Sequence, residues 1–104
     1  IDGWKSSLRA YLLDFVRARQ TIFEYSGVNT TLFRPAYLHI TQTKAHYIMR
    51  SHTIVMNDVM TGDFDVSLSG EDVYKGAISR SKPGSILLFH DNLKARDRLT
   101  IALP

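Results

Sequence analysis

Pro83-Gly84-Ser85-Ile86-Leu87-Leu88-Phe89-His90-Asp91 decides how this chain is read. Pro-Gly is a turn signal. The apolar run Ile86 to Phe89 has strand length and no helical continuation. A buried strand that stops abruptly at His-Asp delivers an imidazole and a carboxylate to the rim of a sheet, where bound molecules usually sit. His90 and Asp91 are therefore the first candidates for chemistry.

Working outward, apolar residues alternate between two periods. Leu8, Tyr11, Leu12, Phe15, Val16, Ile22 and Phe23 recur at three- and four-residue steps, which predicts an amphipathic helix from about Ser7 to Tyr25. Ser6 or Ser7 can cap its start and Gly27 can end it. Its wet face mixes Lys5, Arg9, Arg17 and Arg19 with Asp14 and Glu24, the pattern of a solvated face over a core rather than of a membrane-binding helix. Asn29 to Phe33 reads as a short strand closed by Pro35. Thr41 can cap a helix running through Met49. His52 to Val59 has strand length and composition, interrupted only by Asn57 and Asp58. Ser69 with Glu71 and Asp72 opens a third helix that reaches about Ser81. Arg96 to Leu103 predicts a last one. Helices alternating with three strands imply βαβ units and a largely parallel sheet, an α/β fold, with no domain boundary visible.

The bulk properties narrow the partners. With 104 residues, 44 % hydrophobic and 22 % charged, the chain is at most one small globular domain. Its net charge of +3 comes from scattered cations, not from the clustered basic and aromatic surface that nucleic acid requires. No apolar stretch reaches the ~20 residues that cross a bilayer, and Ile1-Asp2-Gly3-Trp4 is not a signal peptide. Localisation stays open. The absence of cysteine excludes disulfides, a thiolate nucleophile and Cys-based zinc sites. Three buried-type strands in so short a chain would leave edges unpaired, so a missing segment or a second chain is expected to complete the fold.

Four segments in order carry a resemblance: Leu32-Phe33-Arg34-Pro35-Ala36-Tyr37; Ile54-Val55-Met56-Asn57-Asp58-Val59 running into Gly62-Asp63-Phe64-Asp65; the Pro83–Asp91 stretch; and Arg98 through Pro104. Together they resemble the C-terminal half of a polysaccharide deacetylase domain, the NodB-homology type of carbohydrate esterase family four. The resemblance implies that residues 1–104 are the later part of one such domain, a partial distorted (β/α) barrel. The parent would be a hydrolase removing N- or O-acetyl groups from an acetylated polysaccharide or oligosaccharide.

The same resemblance assigns roles. His90 would be the general acid that protonates the departing amine or alcohol, and Leu88 would line the pocket for the acetate methyl. Arg34 would orient the carboxylate of the catalytic base, and the Tyr37 backbone amide would help hold the oxyanion. Asp63 would lie beside the catalytic histidine. Phe64 would replace the family's tryptophan as an apolar wall. Ala36 and Leu38 stand where the family usually has Pro and Gly, and Met60 takes the place of the first aspartate of the fourth motif. Arg34 also reads as a structural residue beside a strand-ending proline, and Gly62-Asp63-Phe64-Asp65 as a polar loop with one anchoring aromatic. His39, His46 and His52 lack ligand spacing and read as surface or packing residues.

Family members hold a divalent metal, usually zinc, through one aspartate and the histidines of an H-x-x-x-H motif. None of these ligands is in this chain, so its own metal-ligand set is empty. In related sequences Asp-Gly-Trp-Lys follows soon after the second metal histidine, which places Ile1 just past the metal site. The resemblance thus implies a chain that contributes the acid and the pocket but neither base nor metal. The alternative is a catalytically inactive carbohydrate-binding or interaction domain that retains the deacetylase fold, which the changes at Ala36, Leu38 and Met60 fit.

Overall fold

The computed structural model describes all 104 residues. Its elements run α1 (Leu8–Ser26), β1 (Leu32–Phe33), a 3-10 turn (Ala36–Leu38), α2 (Gln42–Ile48), β2 (Thr53–Ile54), β3 (Val59–Met60), α3 (Gly70–Arg80), β4 (Leu87–Leu88) and α4 (Arg96–Ala102). Their contacts gather into two units, residues 1–56 and 57–104. The architecture is α/β with short parallel strands and four α-helices.

Helix ends follow the capping chemistry. The Ser7 hydroxyl accepts from the Ala10 N–H at 3.2 Å, and Gly27 ends α1 in the left-handed conformation at φ 71°. Thr41 caps α2 through the Lys44 N–H. At α3, Ser69 and Asp72 exchange bonds in a capping box: Asp72 N–H donates to Ser69 Oγ, and Ser69 N–H to Asp72 Oδ2, both at 3.1 Å. The Ser69 backbone N–H, and after it the Ser69 hydroxyl, hold the exposed Asp72 carboxyl below its usual range.

In the first unit, β1 and β2 pair in parallel, Leu32 with Thr53 and Phe33 with Ile54. The core beneath them is Tyr11, Phe15, Phe33, Ile48 and His52. Phe15 meets Phe33 edge-on at 5.1 Å and His52 at 4.8 Å, so His52 is a packing residue. Gly3 bridges Ile40 as a parallel β-bridge. The Lys44 ammonium, 5 % exposed, donates to the carbonyls of Gly3 at 2.8 Å and Ser6 at 2.6 Å, and lies 5.5 Å from the centroid of the Tyr11 ring. A buried lysine held by carbonyls and a ring staples the N-terminal segment down. Lys44→Met strands both carbonyls without their donor and should lower stability by about 1–3 kcal/mol. Urea unfolding checks this, and an unchanged midpoint contradicts it.

In the second unit, β3 and β4 pair in parallel, Val59 with Leu87 and Met60 with Leu88. Helix α3 packs on α4 through small side chains: Ala77, Ala95 and Ala102 are buried around Val73. Gly70 begins α3 where an added Cβ would come within 2.6 Å of the Ile101 side chain. Burial of Val59 and Val73 contributes about 1.5–3 kcal/mol each.

The run from His52 to Val59, expected as one strand, is two. It breaks at residues 55–58, with β2 pairing in the first unit and β3 in the second. Asp58 supplies a reason: its Oδ1 accepts the Ile86 N–H at 2.7 Å, a side chain taking a bond that a strand would give to backbone. The observed count is therefore four two-residue strands instead of three longer ones. Both edges of each two-stranded sheet remain open, and Leu13, Val16, Ile22, Phe23, Leu32 and Ile86 are exposed.

Candidate active site

The strand β3 leads into a tight turn. Gly62 takes φ 77°, and the Asp65 N–H returns to the Gly62 carbonyl at 2.9 Å. Asp65 then closes its own turn, accepting the Ser67 N–H at 2.9 Å and hydroxyl at 2.7 Å. Those bonds, led by the Ser67 hydroxyl, hold the Asp65 carboxyl below the usual range. Between these anchors Asp63 is directed inward and is completely buried.

A buried carboxylate needs donors, and both come from His90. The His90 backbone N–H donates to Asp63 Oδ2 at 2.6 Å, and ring Nδ1 stands 2.8 Å from Oδ1. The pairing is specific because the residue just past β4 presents main chain and side chain to one carboxylate. An Nδ1–H turned to this carboxylate leaves Nε2 as the ring nitrogen that Asp63 does not engage. The imidazole is 34 % exposed, so it is held from behind and open in front.

The surroundings complete the hold. Phe64 meets the His90 ring edge-on at 5.4 Å. Thr61, buried, donates its hydroxyl to the Leu88 carbonyl at 2.7 Å and ties β3 to β4 just before the histidine. Arg98 of α4 is buried and donates from Nε to the Asp63 carbonyl at 2.6 Å, and its Nη2 bonds the Lys94 carbonyl. Thus the structure brings together His90, Asp63 and Phe64, with Leu88 on the adjoining strand. Asp91 is exposed.

Arg34 and Tyr37 lie in the first unit. Arg34 follows β1 and lines a cleft of about 180 Å³ with Tyr11, Asp14, Phe15, Phe33 and Ala36. Burial, with Asp14 and Asp2 nearby, pushes the Tyr11 hydroxyl up. Tyr37 is 77 % exposed at φ 56°, and Leu38 follows at φ 59°. Two consecutive non-glycine residues in the left-handed region cost about 1–2 kcal/mol each. Leu38 thus occupies a conformation that glycine takes freely.

Sequence reasoning assigns no role to Thr61, Lys44 or Arg98, the last of which it notes only as the start of the fourth segment. Arg98 had a readable signal: with Ala95 and Ala102 it falls on one helical face, and those alanines are its buried companions. Thr61 and Lys44 had none, since each bonds a carbonyl remote in sequence.

No group of three or more His, Asp or Glu side chains in the structure could hold a metal ion. No helix is long and apolar enough to cross a membrane.

This arrangement defines a fold seen in carbohydrate deacetylases. A peptidoglycan N-acetylglucosamine deacetylase, solved with a bound N-oxidanyl-benzamide, superposes over 100 % of this chain at a TM-score of 0.83 and 20 % identity. A family 4 carbohydrate esterase from Streptomyces lividans, solved with acetate, matches 95 % of it at 0.74 and 24 % identity. A deacetylase solved with substrate matches 99 % at 0.71 and 21 % identity. The chain spans about half the length of these proteins, 51 %, 52 % and 51 % respectively. No protein-family model and no curated protein sequence matches it significantly.

Proposed function

We propose that this chain is the acid-and-pocket part of a polysaccharide deacetylase, a hydrolase acting on N- or O-acetyl groups of a polysaccharide or oligosaccharide. The observation that carries the reading is the buried Asp63 carboxylate holding both the Nδ1 and the backbone N–H of His90. In this role Asp63 positions the ring and stabilises it when charged. His90 hands the Nε2 proton to the departing amine or alcohol as the carbon–heteroatom bond breaks, which prevents expulsion of a strongly basic leaving group. Leu88 and Phe64 form apolar walls for the acetyl group, Arg34 orients a carboxylate base, and the Tyr37 N–H donates to the developing oxyanion. The similarity of fold to three deacetylases supports this reading.

The fold is completed, on this reading, by the remaining strands of a distorted (β/α) barrel, from a preceding segment or a second chain. Open strand edges and the exposed apolar side chains of α1 favour it. The divalent metal expected of such an enzyme, zinc by the resemblance, has no ligand set in these residues.

A second reading, a carbohydrate-binding domain without activity, is favoured by Met60. This thioether side chain is 45 % exposed, and by the resemblance it stands where the family has a motif aspartate. Acetate release from acetylated oligosaccharides separates the two. The full-length protein that carries this chain is expected to release acetate. Residues 1–104 alone are expected to release none and to bind zinc weakly. Chelator-sensitive release by residues 1–104 alone contradicts the assignment of base and metal elsewhere. Glycan binding without turnover by the full-length protein establishes the second reading.

A further inference from the structure

The first unit holds a cluster of aromatic rings whose side chains the proposed chemistry does not use. Trp4, the chain's single tryptophan, stacks on His39 with ring centroids 3.6 Å apart and planes 5° from parallel. Tyr37 lies 5.7 Å from His39. Yet Trp4 is 62 % exposed and Tyr37 77 %. Large rings that serve the core are buried; these stand at the surface.

The holding is elaborate. The Asp2 carboxylate accepts the Trp4 backbone N–H at 2.8 Å and stands 3.3 Å from His39 Nδ1. The Lys44 ammonium grips the carbonyls on either side of Trp4, those of Gly3 and Ser6. Gly3 abuts the His39 carbonyl where no side chain fits. Tyr37 is carried on a left-handed backbone. A buried ammonium and a left-handed tyrosine are both unfavourable in isolation. Together they fix exposed rings in one arrangement, and such preorganisation raises affinity by removing the ordering cost at binding.

We propose that Trp4, His39 and Tyr37, with the Asp2 carboxylate at their edge, form a subsite that binds a glycan chain by stacking on its pyranose rings. The axial C–H groups of a pyranose present a weakly positive apolar face, which suits the negative face of an indole. Its equatorial hydroxyls donate to a carboxylate at the ring's edge, and Asp2 stays ionised because the Trp4 N–H holds its carboxyl below the usual range. The class of ligand rests on the carbohydrate reading above. The stacking itself requires only β-linked pyranoses and no acetyl group.

Trp4 is its own probe. The full-length protein is titrated with β-1,4-linked tetramers of N-acetylglucosamine, of glucosamine and of glucose. The indole emission is read as the difference from Trp4→Phe, and acetate release is followed in parallel. Saturable change in the Trp4 emission with each tetramer is expected, with Trp4→Ala weakening binding about five- to thirty-fold. A silent indole overturns the subsite even if acetate is released, and leaves the deacetylase reading standing. An indole already shielded from acrylamide in the free full-length protein overturns it too, since another part of that protein then covers the platform. An N-acetylglucosamine tetramer that binds and perturbs the indole without losing acetate supports the subsite and retires N-deacetylation of that glycan. The wild-type titration stands on its own if Trp4→Ala fails to fold.

Discussion

His90→Ala in the full-length protein should lower acetate turnover by about two to four orders of magnitude, the usual contribution of a positioned general acid. KM should change little if, as proposed, the imidazole acts on the leaving group rather than on the resting substrate. The companion variant Asp63→Asn should lower turnover as well, by a different route. Two His90 donors, Nδ1–H and the backbone N–H, meet two carboxylate oxygens, whereas an amide has one acceptor oxygen. The ring then loses its fixed tautomer or the backbone loses its partner. Because Asp63 is wholly buried, that variant should also lose about 1–3 kcal/mol of stability. The two effects distinguish a working histidine from a structural one. If His90 only braces the turn, its alanine variant melts earlier while folded molecules turn over at a near-normal rate. Turnover and melting temperature measured on one His90→Ala preparation settle this, and a near-normal rate retires the general-acid role.

Gly3→Ala should destabilise the first unit by about 3 kcal/mol or more. A Cβ at Gly3 would lie 1.8 Å from the His39 carbonyl oxygen and 2.6 Å from its carbon. Those are backbone atoms that cannot swing aside as a flexible side chain would. Relief requires opening the bridge to Ile40, which also carries Asp2 away from His39 and the Gly3 carbonyl away from Lys44. Gly27→Ala is the control. Nothing lies within 4 Å of a Cβ there, and only its φ of 71° opposes alanine, for about 1 kcal/mol. Equal midpoints for the two variants in urea would show that the close approach at Gly3 carries no special weight. A large gap would show that the N-terminal segment is an integral part of the unit.

The single tryptophan and the Asp63–His90 pair locate the two regions where variants carry most information. They lie in different units. Loss of glycan affinity after Trp4→Ala with turnover per bound substrate intact would belong to the platform. Loss of turnover after His90→Ala with affinity intact would belong to the acid.

What the amino-acid sequence by itself determined is what acts within a few residues. Ser7, Thr41 and Ser69 cap the helices because each hydroxyl reaches an N–H three residues on. Gly27 and the Pro83-Gly84 turn end elements for reasons of backbone conformation. The apolar run before His90 sufficed to place that histidine past a strand, whereas Asp63 and Phe64 were nominated as its neighbours only through the family resemblance. Local signals could not say that Asp63 would accept both donors from a residue 27 positions later. Nor could they foresee Lys44 clamping the Gly3 carbonyl across 41 positions. They misread His52 to Val59 as one strand, since a β-branched run looks the same whether it pairs once or divides between two sheets. No composition signal announced left-handed Tyr37 and Leu38, which carry neither glycine nor asparagine there. Only the tertiary structure decided these, because a buried carboxylate, a buried ammonium and an unfavourable φ persist only where distant parts of the chain supply what each requires.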